Sequence, residues 1–317
     1  MQNIHKNIQN WYQKYGRVGL PWRTTNNPYH IYLSEVMLQQ TQVKTVLERY
    51  YFPFLEKFPT LKDLGNAPLD DVLKMWEGLG YYNRAKNLHM TATLLDSLPQ
   101  SIDDLIKLPG IGKNTAHAVA AFAFNQPVPI MEANVKRILC RLHKLKTPND
   151  KDLWEIAYDS IDKENPFDYN QAMMDIGANI CNPKNPKCEL CPLTDICQGK
   201  EEPTLYPTKK KRVVPTREQN IMLSVYNEQL SLTQRTGKFL HGLWGFESVE
   251  VPLCASVYIG EVTHAYTHFK LVCKIYVYDE LDKEQIDYFT TQEIRKLVIS
   301  KVDEKIVKLY LDTIQTY

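Results

Sequence analysis

The stretch that decides the fold is Leu108–Ala116, which reads LPGIGKNTA and joins two segments of helical periodicity. Glycine permits the sharp backbone turn, and the first amide groups of the following helix have no helical carbonyl as partner. Such amides bind phosphate oxygens. We therefore predict a helix–turn–helix unit near residues 105–120 that holds a phosphate, the alternative being an ordinary glycine-capped turn. The candidate contacts are Leu108, Gly110, Gly112, Lys113, Asn114 and Thr115.

The helical pattern around this stretch extends from Asn3 to Ile196, with apolar residues at three- and four-residue spacings. It predicts a mainly helical domain over residues 1–197. Residues 198–216 contain three prolines and the basic run Lys209–Arg212 without apolar periodicity, which is typical of a linker.

The remaining residues, 217–317, predict a smaller α+β domain. Ile221–Val225 and Leu230–Gln234 have the pattern of a β-hairpin around Asn227-Glu228, and Phe269–Tyr278 is rich in β-branched and aromatic residues. Two helical patterns then follow.

Composition excludes several classes of protein. With 44% hydrophobic residues in 317, the chain can bury a core and is not a disordered polymer. The 38 Lys and Arg nearly balance the 37 Asp and Glu, so nucleic-acid binding would need a local patch. No apolar run approaches the roughly 18 residues of a membrane span, and the N-terminus lacks the apolar stretch of a signal peptide. We expect a cytoplasmic protein that binds no membrane.

Four of the seven cysteines are close together in the sequence, in the pattern C-x6-C-x2-C-x5-C. One short loop over residues 181–197 can therefore supply four thiolates, which favours a [4Fe-4S] cluster. Zinc and unligated structural cysteines remain alternatives, although zinc sites more often use two C-x2-C pairs. The candidate ligands are Cys181, Cys188, Cys191 and Cys197.

Glu35 is the only acidic residue between His30 and Leu38, and its neighbours there are mostly apolar. On a helix this environment would remove water from the carboxyl group and raise its pKa. A carboxylic acid that keeps its proton near neutral pH can act as a general acid. The alternative is a half-exposed Glu on an amphipathic helix.

Four further segments carry a family resemblance: Leu20–Arg23 (LPWR), Ser34–Val43 (SEVMLQQTQV), Gly78–Ala85 (GLGYYNRA) and Asn170–Ala178 (NQAMMDIGA). Together with the turn and the cysteine spacing, they resemble the adenine DNA glycosylase family of the endonuclease III superfamily, over nearly all of residues 8–200. The resemblance implies a helix-hairpin-helix domain with a [4Fe-4S] cluster, followed by a nudix-like domain. It also implies a monofunctional enzyme of base excision repair that hydrolyses the N-glycosidic bond of adenine mispaired with 8-oxoguanine or guanine. The expected partner is double-stranded DNA carrying that mispair, bound by a monomer.

The resemblance assigns the chemistry to two carboxyl groups. Glu35 matches the acid that protonates adenine, and Glu132 occupies a position where the family usually has Asp. Asn114 stands where the related glycosylases that also cleave the DNA backbone carry a Lys. The chain therefore lacks the amine of a lyase at that position, with Lys113 one residue away.

Other matches concern DNA contact. In the family, residues at the Gln40 and Tyr81 positions fill the gap left by the flipped adenine, and Thr41 adjoins Gln40. For Tyr81, core packing beside Trp76 is the alternative. The positions that resemble the adenine pocket are Trp22, Arg23, Gln171 and Asn134, of which Trp22 and Arg23 could equally be a buried Trp and a surface Arg.

Thr267 and His268, between Tyr266 and Phe269, resemble the hairpin tip that reads the lesion strand. Either side chain can exchange hydrogen bonds with 8-oxoguanine, whereas capping of a strand is the alternative. A nudix hydrolase is not expected, because Glu247 and Glu250 run directly into Val251-Pro252 and leave no room for a metal-binding helix. Two other functions remain open, an endonuclease III-like pyrimidine glycosylase/lyase and a non-catalytic protein that binds damaged DNA.

Overall fold

The computed structural model describes residues 2–208, 213–237, 239–279 and 287–314. The chain forms two compact units, which we call the helical unit (Met1–Ala67 and Asn83–Lys210) and the sheet unit (Pro68–Tyr82 and Lys211–Tyr317). This division differs from the expected domain limits by the segment Pro68–Tyr82 and by residues 198–210 of the expected linker, which belong to the helical unit and place Tyr206 in its core. The expected limits stay a prediction. The basic run Lys209–Arg212 lies outside the described residues.

Residues 2–208 are helical, as the sequence predicts. The α-helices are α1 (Gln2–Tyr15), α2 (Pro28–Leu38), α3 (Val43–Arg49), α4 (Tyr51–Lys57), α5 (Leu61–Asn66), α6 (Leu69–Met75), α7 (Asn83–Leu94), α8 (Ile102–Ile106), α9 (Lys113–Phe124), α10 (Ala133–Leu142), α11 (Asp150–Ser160) and α12 (Pro166–Asn179). Among the described residues, no helix combines the length and apolar character needed to span a membrane.

The predicted helix–turn–helix unit is formed by α8 and α9. Gly110 has a φ of 71°. A Cβ atom at this glycine would lie 2.4 Å from Nδ2 of Asn87, so both the backbone conformation and the space require glycine. Helix α9 begins after Gly112 and ends at Phe124, where the left-handed conformation of Asn125 terminates it.

The core of the helical unit brings the site-bearing helices together. Buried apolar residues of α1, α2, α9, α10 and α12 form one cluster, which includes Ile8, Ile31, Leu139 and Ile176. Helix α2 starts at Pro28 after Asn27, whose side chain accepts a hydrogen bond from the Tyr29 amide. Its buried apolar side chains hold it rigidly, at roughly 1.5–3 kcal/mol for each fully buried one.

The sheet unit is α+β, as expected. Its elements are β1 (Thr216–Tyr226), β2 (Gln229–Ser231), β3 (Thr233–Gln234), β4 (Trp244–Gly245), β5 (Glu247–Val249), β6 (Val257–Ala265), β7 (Lys270–Asp279), β8 (Tyr288–Phe289), α13 (Thr291–Ile294) and α14 (Lys301–Ile314). The main sheet has the order β6-β7-β1-β2-β8, with β5 paired to β1. Strands β1 and β7 run parallel, and the other pairs of this sheet are antiparallel.

The structure confirms the predicted hairpin and corrects its limits. Asn227 and Glu228 form the turn, both with positive φ. Strand β1 begins at Thr216, five residues before the expected start, because β7 supplies backbone partners for the exposed residues that show no apolar pattern. The expected strand Leu230–Gln234 is divided between two sheets.

Candidate active site

Glu35 lies on α2 among buried residues such as Ser34 and Val36, and is itself half-buried. Burial raises the pKa of Glu35 to about 8, the negative charge of Glu132 adds to this rise, and Arg23 opposes it. The carboxyl group is therefore largely protonated at pH 7. The expected environment of Glu35 is confirmed, and it has the protonation state of a general acid.

Glu132 directly precedes α10. Enclosure by the surrounding protein raises the pKa of Glu132, and a hydrogen bond from Asn114 opposes the rise. Because the side chain is exposed to solvent, the enclosure is incomplete. The Asn114 side chain donates from Nδ2 to Oε1 of Glu132 and accepts from the Met131 amide at 2.7 Å, and its expected contact with DNA stays a prediction.

Trp22 and Arg23 are both buried, with 3% and 9% of their surfaces exposed, so Arg23 is not a surface residue. The Arg23 guanidinium donates to both carboxylate oxygens of Asp175, at 2.8 and 2.9 Å. Arg17 also binds Asp175. Burial alone would raise the pKa of Asp175, but the two arginines hold it below its ordinary value.

Gln171 is buried and lies four residues before Asp175, on the same face of α12. Within the described residues, its Oε1 has no hydrogen-bond partner, and neither has Nε of Arg23. Buried polar atoms rarely stay unsatisfied without a functional reason. Gln171 Oε1 and Arg23 Nε are therefore an acceptor and a donor that the protein itself leaves unused in its described part.

Asn134 is fixed between α10 and α12. Its Oδ1 accepts from Arg137 at 2.8 Å, and Arg137 also donates to the Gly177 carbonyl at 2.7 Å. A Cβ atom at Gly177 would lie 2.5 Å from Cβ of Asn134, so the two helices need glycine here. These contacts define a structural support and do not join Asn134 to the other predicted pocket residues.

The two residues expected to enter the DNA stack share an uncommon backbone conformation. Gln40 has a φ of 57° and Tyr81 a φ of 52°. Gln40 is exposed in the turn after α2, whereas Tyr81, in the sheet unit, is 41% exposed and so does not pack in the core as Trp76 does. Non-glycine residues with positive φ often mark functional turns.

The turn that presents Gln40 is held by Arg84. Its guanidinium donates to the carbonyls of Val36, Met37 and Gln39, each at 2.8 Å. It also donates to the hydroxyl of Thr41 at 3.3 Å. These bonds satisfy the carbonyl end of α2, the helix that carries Glu35.

The remaining hairpin residues differ in their accessibility. Gly110 and Gly112 are exposed, Leu108 is half-buried, and a Cβ atom at Gly112 would meet nothing within 4 Å. Thr115 accepts a hydrogen bond from Gln39 at 3.3 Å. The ammonium of Lys113 lies 4.1 Å from the ring centre of Trp154. The open backbone at Gly112 is the part suited to a phosphate.

The four clustered cysteines line one pocket, together with Arg141, and none forms a disulfide. Arg141 Nη1 donates to Sγ of Cys181 at 3.2 Å. In the described residues, no group of three or more His, Cys, Asp or Glu side chains is arranged to hold a single metal ion.

Thr267 and His268 occupy the turn between β6 and β7, and both are exposed. The Thr267 hydroxyl lies 3.1 Å from Nδ1 of His268. Beneath the turn, the rings of Tyr266 and Phe269 are 4.9 Å apart, and Phe239 contacts both. Elsewhere in the sheet unit Glu247 lies on β5, so the nudix-type helix that the sequence excludes is not formed there.

Sequence reasoning missed the residues that support the site. Asp175 lies in the segment Asn170–Ala178 and Arg84 in Gly78–Ala85. A charged residue among apolar neighbours could have indicated that each of them has a buried partner. Arg17 and Arg141 carried no such signal, since their partners Asp175 and Cys181 are far away in the sequence.

Comparison with known proteins agrees with this architecture. Residues 33–161 match the model of the HhH-GPD superfamily of base excision DNA repair proteins. The helical part is similar to the solved structure of a thermostable thymine-DNA glycosylase, with a TM-score of 0.58 and 28% identity, covering 63% of this chain and 98% of that one. The fold and the site together define a helix-hairpin-helix DNA glycosylase of base excision repair, whose partner is DNA.

Sequence relatives narrow this class. The adenine DNA glycosylase of Buchnera aphidicola subsp. Baizongia pistaciae is 39% identical over 254 residues, which cover 76% of this chain and 71% of that protein. The corresponding protein of Buchnera aphidicola subsp. Schizaphis graminum is 39% identical over 244 residues, covering 73% and 70%. The chain belongs to the adenine DNA glycosylase family.

Proposed function

We propose that the chain hydrolyses the N-glycosidic bond of adenine mispaired with 8-oxoguanine or guanine, with Glu35 as the proton donor. The observation that carries this proposal is the pKa of Glu35, about 8, beside a second carboxyl group, Glu132. Glu35 is half-buried, whereas Glu132 is exposed and accepts a hydrogen bond from Asn114. Two carboxyl groups in such different environments can divide into an acid and an anion.

In the proposed mechanism, Glu35 gives its proton to a ring nitrogen of adenine. The glycosidic bond breaks, its electron pair leaves with the base, and the sugar becomes an oxocarbenium-like cation. Glu132 stabilises that cation as a carboxylate. Water then adds to the anomeric carbon and gives its proton to the Glu35 carboxylate, which restores the acid and leaves adenine and an abasic site.

Two buried polar side chains, Arg23 and Gln171, support adenine as the base. Adenine must leave the duplex to reach Glu35. Its N6 amino group donates and its N7 accepts on one edge. Gln171 Oε1 and Arg23 Nε are the matching acceptor and donor without protein partners in the described part of the chain. Gln40 and Tyr81 would fill the gap in the stack.

The helix-hairpin-helix residues support a monofunctional enzyme. A lyase needs an amine that attacks the sugar. Asn114 has none, and the Lys113 ammonium packs on Trp154. The phosphate contacts would come from the backbone around Gly110 and Gly112, as in other helix N-terminal anion sites.

The cysteine loop supports a [4Fe-4S] cluster, held by Cys181, Cys188, Cys191 and Cys197. The four thiols line one pocket and form no disulfide. One short loop that supplies four thiolates fits a cluster with one thiolate at each of four irons. When bound, it would fix the loop beside the DNA backbone.

Thr267 and His268 complete the proposal as the residues that bind 8-oxoguanine. The protein would act as a monomer.

Measurement of base release tests the whole proposal. Single-turnover reactions use duplexes with adenine opposite 8-oxoguanine, guanine or thymine, and alkali then reveals the abasic sites. We expect cleavage for the first two and near-background release opposite thymine. Strand cleavage without alkali, or release of a pyrimidine, would overturn the proposal in favour of an endonuclease III-like enzyme. Binding without base release would indicate a non-catalytic protein.

A further inference from the structure

The side chain of Asn114 connects two helix starts. Asn114 is the second residue of α9, and Glu132 directly precedes α10. Asn114 Nδ2 donates to Oε1 of Glu132, and its Oδ1 accepts from the Met131 amide at 2.7 Å. One amide group therefore binds both the backbone and the side chain at the start of α10.

The orientation of this amide group is determined by chemistry. The Met131 N–H can only donate, so it requires the oxygen end of the Asn114 amide. The NH2 end is then left for the Glu132 carboxylate, where an oxygen would be repelled. Asn114 thus offers Glu132 a donor in a fixed position.

A neutral donor suits the chemistry assigned to Glu132. Its exposed side chain has three rotatable bonds, and holding it in one orientation costs conformational entropy that a hydrogen bond can offset. The carboxyl group of Glu35, on α2, interacts electrostatically with Glu132, which disfavours a negative charge on both groups at once. The amide of Asn114 stabilises the Glu132 anion without neutralising it. An ammonium group at this position would form an ion pair with Glu132 and so weaken the attraction between Glu132 and the sugar cation.

We propose that Asn114 is a positioning residue, which holds the Glu132 carboxylate ionised and oriented toward the sugar. This inference rests on the proposed role of Glu132 in the reaction. It assigns Asn114 to the catalytic side of the helix-hairpin-helix and not to the DNA backbone.

Two substitutions test the contact from opposite sides. Asn114→Ala removes both hydrogen bonds, whereas Asn114→Asp keeps an acceptor for Met131 but turns a carboxylate toward Glu132. Asn125→Asp is the matched control, since it adds the same charge at the exposed far end of α9. In single-turnover adenine release we expect losses of about tenfold for Asn114→Ala and about a hundredfold for Asn114→Asp, with the control unchanged.

A double-mutant cycle separates positioning from general structural damage. In the Glu132→Ala background, Asn114→Ala should slow the reaction no further, because the group it positions is gone. An equal loss in both backgrounds, or wild-type speed for Asn114→Ala, would overturn the positioning role while leaving the function of Glu132 intact.

A urea-unfolding cycle with the same variants supplies a readout independent of activity. The two substitutions should be coupled by about fivefold in the unfolding equilibrium constant, and strict additivity would contradict the contact. If Glu132→Ala releases adenine at the wild-type rate, the proposed role of Glu132 fails, and the positioning role fails with it. That result differs from a slow Glu132→Ala variant paired with an unaffected Asn114→Ala variant, which contradicts the inference alone.

Discussion

The surroundings of Glu35 in the helical unit and the β6–β7 turn of the sheet unit differ in how far they exclude water. Glu35 has buried neighbours on a helix whose end is bound by Arg84. Thr267 and His268 instead project from an exposed turn that rests on aromatic rings. A proton donor needs a water-poor environment to raise its pKa, whereas side chains that read a base edge must stay accessible until DNA arrives. Loss of one carboxyl group should therefore abolish turnover, and loss of the tip should only reduce discrimination.

The largest effect is expected from Glu35→Gln, which keeps the shape of the side chain and removes the acidic proton. Adenine release should fall by at least about 10³-fold, since a positioned general acid contributes roughly 10²–10⁴-fold and the ring is a poor leaving group without it. Duplex binding should change little. Rates come from single-turnover release, and affinity from fluorescence anisotropy. A variant that keeps wild-type turnover would remove Glu35 from the mechanism.

The pKa of Glu35 also predicts a dependence on pH. Adenine release should decline above about pH 8, by roughly tenfold per pH unit, as Glu35 loses its proton. A flat profile between pH 7 and 10 would contradict the acid role.

The same pKa shift affects stability. Between the ordinary value of 4.5 and about 8, the folded protein keeps a proton that the unfolded chain releases, so the free energy of unfolding falls as pH rises through this window. Glu35→Gln should remove that fall, so near pH 8 its free energy of unfolding should exceed that of the wild type by on the order of 1–3 kcal/mol. Urea titrations of both proteins at pH 5 and pH 8 measure how much each free energy of unfolding changes with pH.

An intermediate effect is expected at the hairpin tip. Thr267→Ala combined with His268→Ala should reduce the preference for adenine opposite 8-oxoguanine over guanine by about 1–3 kcal/mol, the range of a base-edge contact. Release opposite guanine should stay nearly unchanged, because the pocket is untouched. Equal losses on both mispairs, or none on either, would assign the turn a structural role only.

The smallest effects are expected at the two glycines of the helix-hairpin-helix, where one substitution should weaken DNA binding and the other should lower stability. Gly112→Ala places a methyl group in open space and should leave thermal stability unchanged while weakening duplex binding by about threefold to tenfold, if the backbone approaches a phosphate there. Gly110→Ala must strain a positive φ and displace Asn87, so it should lower the free energy of unfolding by about 1 kcal/mol or more. Unchanged binding by Gly112→Ala would remove that position from the DNA contact.

Local features of the chain were predictable because their causes are local. Helical periodicity, the glycines of the turn and the isolation of Glu35 among apolar residues all appear within a few neighbours in the sequence. The turn at Asn227-Glu228 was recognised in the same way, although the start of β1 was not. That strand extends to Thr216 only because β7 supplies partners, and no pattern within residues 216–220 shows this.

The amino-acid sequence by itself determined the fold class, the candidate acid and the cysteine set, since each is encoded by spacing along one segment. The partners that make these residues a site were decided only by the tertiary structure. Arg23 and Asp175 are 152 residues apart, and Asn114 reaches Glu132 across 18. Apolar periodicity specifies which face of a helix is buried, but not which side chain of another helix it meets. Hydrogen bonds act over about 3 Å, so their partners are fixed only when the helices have packed.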